Sequence, residues 1–438
     1  MGERSAFRGS QIVGIAALAQ GVSVGSTFYA YGPFLKPLAA EFDASRLVVT
    51  LGLTCMTIVQ GLAAPFIGRA FDRGSARALM ISGVVSLAAG LMLFSQTSAF
   101  WQAVLLFMLP IAIGAHLFGP LAASTLVARW FVRQRGTALG VTSLGAAAGG
   151  AAFPPLATAL IEALGWRGAI GTLGAGLLLV IPALAWFVIA RPEDVGETPD
   201  GDAPSLGPAT TPVPAEGTTA DGRGAADPAT APMPEVVPPP PPQPLSTRSL
   251  VRDPRLWAIT VTIGAGYVPV SVLLVHLVPF ATDLGFSPER AASLLTGYAI
   301  ASAFGRVLFG WLADRMDPRI VVWLNFGWFS LAWLGLLVEP SYPLLLATAL
   351  AAGISVGGIT PLWAVLTGAV YGRDAFGRAM GLTNMLMVPF SVAGAPIAAH
   401  VFDRTGSYRA GFAGFLVCFV LGSIAIAFLG RARGTERG

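Results

Sequence analysis

The chain has 438 residues, 54% of them hydrophobic and only 11% charged, with a mean hydropathy of +0.70 and a formal net charge of +4. Soluble domains carry about 25% charged residues, so this composition excludes a soluble globular protein and points to a membrane one. The basic excess is scattered through short loops, which argues against nucleic-acid binding.

Taken in chain order, apolar runs long enough to cross a bilayer as helices lie at 12–34, 46–67, 78–96, 100–127, 137–160, 168–190, 256–281, 290–313, 320–338, 342–369, 378–400 and 408–430. The first is longer than a signal-peptide core and lacks a convincing cleavage pattern, so it reads as a retained helix. The expected fold is an all-α membrane protein of twelve transmembrane helices in two pseudo-symmetric six-helix bundles. Residues 1–190 form one bundle and 255–438 the other. Between them, 191–254 is rich in Pro, Ala, Thr and Gly and contains "PPPPPQP" at 238–244; it reads as a disordered cytoplasmic linker with polyproline stretches.

Charge placement orients the chain. Of 27 basic residues all but Lys36 are arginine; with a cytoplasmic N-terminus, 20 fall inside and six outside, and Arg306 is left between. The positive-inside rule then puts both termini in the cytoplasm of a cell (inner) membrane protein. Cys55 and Cys418 lie in apolar runs and read as packing residues. No metal-ligand spacing, phosphate-cradling loop or nucleophile–base pair appears, so neither an enzyme nor a metal or cofactor site is expected.

The halves repeat one another. "GRAFDRGSAR" at 68–77 and "GWLADRMDPR" at 310–319 share Gly68/Gly310, Asp72/Asp314, Arg73/Arg315 and Arg77/Arg319 at a constant offset of 242. "GTALG" at 136–140 matches "GRAMG" at 377–381 at offset 241. A duplicated six-helix unit with matching loop punctuation is the mark of a transporter whose halves move around a central site. These motifs resemble the major facilitator superfamily over all twelve helices, the 68–77 stretch being that family's signature loop. Asp72 at the inner end of the second helix can face the N-terminus of a neighbouring helix. Arg73 and Arg77 would pair nearby, with Asp314, Arg315 and Arg319 as the second copy. Such contacts gate the cytoplasmic side; the same charges would also fix topology.

Charges at membrane depth are costly and mark function. Arg306 in "SAFGRVLFGWLADR" is the clear case, and no Asp or Glu lies mid-membrane to neutralise it. An unpaired guanidinium suits a carboxylate brought by the substrate. The other pocket candidates are polar or aromatic residues of cavity-lining helices: Tyr29, Tyr31, His116, His276, Tyr298, Trp363 and Asn384. "GRVLFG" (305–310), "HLVPFATDLGFS" (276–287) and "RGTALG" (135–140) resemble the monocarboxylate transporter and oxalate–formate antiporter branch. That resemblance implies a small organic anion as substrate, and proton symport as the energy source. The chain departs from the branch in having Ser302 where animal members carry an aspartate, Tyr29 where they carry a lysine, and Met387 where oxalate carriers have a second basic residue. One fixed positive charge favours a monocarboxylate. His116, His276 and His400 could titrate, and Asp283 is a coupling candidate if some state brings it near Arg306. A drug or metabolite efflux antiporter and a carboxylate exchanger are the alternatives. A monomer is expected, with the lipid bilayer as its other partner.

Overall fold

The computed structural model describes residues 7–44, 46–201, 246–338 and 341–429. Ten stretches among them are long and apolar enough to span a membrane. One of these, Arg135–Phe187, is two spans run together: Gly165 sits at φ +67, a left-handed conformation open to glycine, and reverses the chain there. A further helix, Pro318–Leu334, is 17 residues long and completes the set of twelve.

The helices are α1 (Gly9–Glu41), α2 (Arg46–Arg73), α3 (Ala76–Phe94), α4 (Phe100–Trp130), α5 (135–164), α6 (166–187), α7 (Pro254–Asp283), α8 (Pro288–Arg315), α9 (Pro318–Leu334), α10 (Tyr342–Tyr371), α11 (Phe376–Thr405) and α12 (Arg409–Ala427). Local chemistry sets many boundaries. Asp253, Ser287 and Asp317 cap α7, α8 and α9, each followed by proline at the first helical position, where the missing N–H costs nothing. Gly372 (φ +68) and Gly406 (φ +66) end α10 and α11. Single π-helical turns interrupt α1 at Gly25–Tyr29 and α4 at Phe107–Ile111, the second containing Pro110.

Small residues let the helices approach closely. In α5, Gly145 and Gly149 face the backbone of Ala17 and Gly21 in α1. Large apolar side chains such as Leu179, Trp186, Ile300 and Phe428 stand more than half exposed on the periphery, where lipid is their solvent.

The two halves meet along α2–α11 and α5–α8, and the C-terminal segment of α4 (Pro120–Trp130) packs on α10 and α11. These contacts close the face that carries both chain termini. Among the described residues, no comparable contact joins α1 to α7 towards the opposite face.

Both ends of the segment expected as a disordered linker, 191–254, are structured. Residues 191–201 are structured: Pro192–Val195 is a 3₁₀ turn, Glu193 pairs with Arg373 of the other half at 3.0 Å, and Asp200 accepts hydrogen bonds from the N–H groups of Val132, Arg133 and Gln134. At the other end Thr247–Arg252 is a helix that buries Leu250 and takes a hydrogen bond from Arg69 onto Thr247 at 2.6 Å. Apolar and charged anchors thus hold both ends down. The expectation of disorder for 202–245 lies outside the described residues.

Candidate functional site

Between the halves lies a cavity of about 260 Å³. The N-terminal half supplies Gln20, Ser23 and Phe28 from α1, Thr57 and Gln60 from α2, His116 from α4, and Thr142 and Ser143 from α5. The C-terminal half supplies Tyr267 from α7, Thr360 and Trp363 from α10, and Met380, Asn384 and Met387 from α11. Both π turns fall on helices that line this space.

Arg306 reaches the cavity wall at Ser143. Its Nη1 donates to the Ser143 carbonyl across the interface between α8 and α5, while its Nε is buried without a hydrogen-bond partner. No carboxylate among the described residues pairs with it. Its charge is within electrostatic reach of the Tyr267 and Tyr298 hydroxyls. Tyr298 is buried and its hydroxyl has no partner; Tyr267 shares a hydrogen bond with Thr360 at 3.2 Å. A guanidinium Nε and a phenol hydroxyl, both buried and unbonded, therefore lie behind one wall of the cavity. Leaving such groups unsatisfied costs about 1–3 kcal/mol each.

The remaining expected site residues divide. His116, Trp363 and Asn384 line the cavity; Trp363 donates its indole N–H to Thr383 at 2.9 Å. Tyr29 lies half exposed on α1, close enough to Tyr298 to interact with it electrostatically. Tyr31 belongs elsewhere: it lines a separate, almost wholly apolar cavity of about 220 Å³ inside the N-terminal half, against Phe107. His276 is also a correction. Its Nε2 donates to the Ala395 carbonyl (2.9 Å), its Nδ1 shares a hydrogen bond with the Tyr408 hydroxyl (3.2 Å), and the residue packs α7 onto α11 and α12. Asp283 is exposed at the far end of α7. Arg306 stands 18 residues into α8, roughly 27 Å from that face at 1.5 Å per residue, so the two form no relay in this state.

Sequence reasoning missed Ser143, Tyr267 and Thr360. Ser143 could not have been found by side-chain chemistry, because its hydroxyl is spent on Gly140 of its own helix and the backbone carbonyl meets Arg306.

The closed face is held by two related devices. Helices α5 and α11 start without a side-chain cap of their own. Each takes its cap from the other half. Asp314 of α8 accepts from Gly136 N (2.6 Å) and Thr137 N (2.7 Å), and Asp72 of α2 accepts from Gly377 N and Arg378 N, both at 2.9 Å. A carboxylate here satisfies orphan amides and meets the positive end of the helix dipole. Asp72 has in addition the Arg378 Nε at 3.0 Å, with the two side chains 1% and 7% exposed.

The arginines expected beside these aspartates do other work. Arg77 donates to the Val188 carbonyl at the end of α6, Arg315 lies 3.9 Å over the Trp311 ring, Arg319 pairs with Asp317 at 2.7 Å, and Arg73 is exposed. These contacts of Arg77, Arg315 and Arg319 stay within one half, so of the six expected gating residues Asp72 and Asp314 are the two seen to bridge.

A model of the Major Facilitator Superfamily matches residues 17–283 and 267–438. The chain belongs to that superfamily. Within it the chain is like the monocarboxylate transporters. It is 32% identical to monocarboxylate transporter 11 of Mus musculus, over 96% of this chain and 87% of that protein. It is 27% identical to monocarboxylate transporter 13 of Bos taurus, over 92% and 84%. The fold is shared with the human organic anion transporter MFSD10 (TETRAN), at TM-score 0.68 and 16% identity over 95% of this chain and 99% of that one. FucP in its outward conformation superposes at TM-score 0.66 and 14% identity, over 96% and 99%. This superfamily member is accordingly a multi-pass membrane transporter of a small molecule and not an enzyme.

Proposed function

We propose that this transporter carries a small monocarboxylate across the cell (inner) membrane by alternating access, coupled to protons, with both termini in the cytoplasm. Arg306 carries the reading: a part-buried guanidinium whose Nε is buried and unbonded, with no carboxylate partner among the described residues and a cavity at its side. A carboxylate entering the cavity supplies both the missing charge and the missing acceptor. Tyr298, Tyr267 and Tyr29 stand near enough to help bind it. His116, Trp363 and Asn384 wall in the rest of a small organic acid.

The cytoplasmic placement of the closed face follows from the arginine bias, which favours the side bearing the termini. With that face sealed at Asp72 and Asp314, the cavity of this state serves the outside. Alternation requires both caps to be broken, which exposes the amides of α5 and α11 to water.

The reading is tested on purified protein by thermal shift with pyruvate, lactate, benzoate, oxalate and tetraphenylphosphonium. A ligand at ten times its Kd stabilises by about 1.4 kcal/mol. Monocarboxylates should raise Tm by a few degrees in wild type and have no effect on Arg306→Lys, which keeps the charge but loses the bidentate fork, or on Arg306→Ala. Stabilisation by the cation alone, or by carboxylates regardless of Arg306, would overturn the assignment and favour efflux of other cargo.

A further inference from the structure

The N-terminal half brings to the cavity one titratable side chain that none of the described residues engages at one of its nitrogens. His116 is 6% exposed, lines the cavity, and has its Nε2 buried with no hydrogen-bond partner. The polar groups packed around its turn are directed elsewhere. Ser23 of α1 donates to the Ala115 carbonyl (2.9 Å), Gln60 of α2 to Ala112 (3.3 Å), and Ser86 of α3 to Pro110 (3.0 Å). All three bond the backbone of α4 and leave the imidazole alone.

Away from the helix ends, the titratable side chains of the adjoining spans are Tyr29 and Tyr31 on α1 and Cys55 on α2; the charged ones, Lys36 and Glu41 on α1, Arg46, Arg69, Asp72 and Arg73 on α2, Arg77 on α3, and Arg135 and Glu162 on α5, all lie towards helix ends. Across the cavity the facing groups are Tyr267 and, behind Ser143, Arg306. Among the described residues nothing thus pairs with a positive charge on His116. It acquires a partner only when an anion occupies the same cavity.

We propose that His116 is the proton carrier of the transport cycle: its free Nε2 takes a proton from the outer solution when a carboxylate binds at Arg306, and returns it to the inner solution when the carboxylate leaves. This rests on the carboxylate reading above. The step balances, since one N–H bond forms on the imidazolium and is broken at release, and no other reactant is needed. The loaded cavity (guanidinium, carboxylate, imidazolium) then bears the same net charge as the empty one, so loaded and empty carriers cross the membrane with equal electrostatic cost. It also removes the need for a membrane carboxylate, which the described residues do not provide beside Arg306.

The test uses the full-length protein in liposomes, with whichever of pyruvate, lactate or benzoate gives the largest Arg306-dependent thermal shift. For one proton per anion, an inside-alkaline gradient of one pH unit sustains about tenfold accumulation. Wild type should reach it. His116→Gln, which hydrogen-bonds but does not titrate, should fall to no accumulation. Its anion-for-anion exchange should be slower but persist, without the pH dependence of wild type. Independently, ¹⁵N-histidine NMR of the wild type, which has three histidines in all, should show His116 gaining a proton at pH 6.5 when the anion is added.

Undiminished accumulation by His116→Gln, absence of gradient-driven accumulation in wild type, or an imidazole that stays neutral with anion bound each overturns the proposal. If the Arg306-dependent shift is present and coupling is not, this inference alone fails. If no carboxylate gives that shift, the reading of the site fails and takes this inference with it.

Discussion

The two closures of the terminus-bearing face are copies of one design with one difference. At α5 the carboxylate of Asp314 meets two backbone amides; at α11 the carboxylate of Asp72 meets two amides and a buried guanidinium. The repeat aligns Thr137 with Arg378, so the position that carries the extra charge in one half carries a neutral hydroxyl in the other. The shared part is a helix cap supplied across the interface, a weak and readily broken bond pair suited to a carrier that must open. The added guanidinium makes the α2–α11 seam the stronger one. Breaking a buried ion pair from one side strands a charge, whereas breaking a cap only returns amides to water.

The largest effect should therefore come from Asp72→Asn. It removes the carboxylate paired with the buried Arg378, and the closed state should lose about 3 kcal/mol, roughly a hundredfold in the closed-to-open ratio. Spin-label distances across the terminus-bearing face should show the open population rising to dominance. A ratio within a few-fold of wild type would mean that Arg378 finds another partner and that the asymmetry carries no energy.

Next comes Gly68→Ala, which acts on the same seam by shape. A Cβ there would lie 2.0 Å from the Gly377 carbonyl oxygen, and a backbone atom cannot rotate aside. Separation of the helices should cost the closed state about 2 kcal/mol. Gly310→Ala on the other seam, where the Cβ meets the Gly136 oxygen at 2.2 Å, should match it, because the steric element is common to both copies. Asp314→Asn should rank third, near 1–2 kcal/mol: charge-assisted bonds to two amides weaken, but no opposite charge is abandoned. Equal shifts from Asp72→Asn and Asp314→Asn would erase the distinction between the seams.

The fold was legible because a bilayer imposes a coarse rule, some twenty apolar residues per crossing, that survives errors at the ends. The run expected at 320–338 is the helix Pro318–Leu334, and those at 137–160 and 168–190 are two helices that follow directly on one another, the chain reversing at Gly165. The repeated aspartates were legible through their offset. Arg378 was not, since its partner lies 306 residues away and the repeat offers no second arginine to compare. The cavity was half legible. A charge such as Arg306 announces itself in an apolar helix; a polar ring does not say which way it faces. His276 and His116 look alike in sequence, yet one is fully bonded to Tyr408 and Ala395 and the other is left open to the cavity.

The smallest effect is expected at the residues that the signature loop makes most conspicuous. Arg73 follows Asp72 directly but is exposed, and exposed charges contribute about 0–1 kcal/mol. Arg77 ties the start of α3 to the end of α6 through the Val188 carbonyl, a contact within one half that does not change when the halves part. Arg73→Ala should leave the closed-to-open ratio within about twofold of wild type. Arg77→Ala should lower the stability of the N-terminal half by about 1 kcal/mol, the loss of one hydrogen bond, without moving that ratio. Either arginine shifting the ratio as much as Asp314→Asn would show that closure draws on charge at the loop as a whole. The two caps would then be one contribution among several, and the comparison between them would no longer rank the seams.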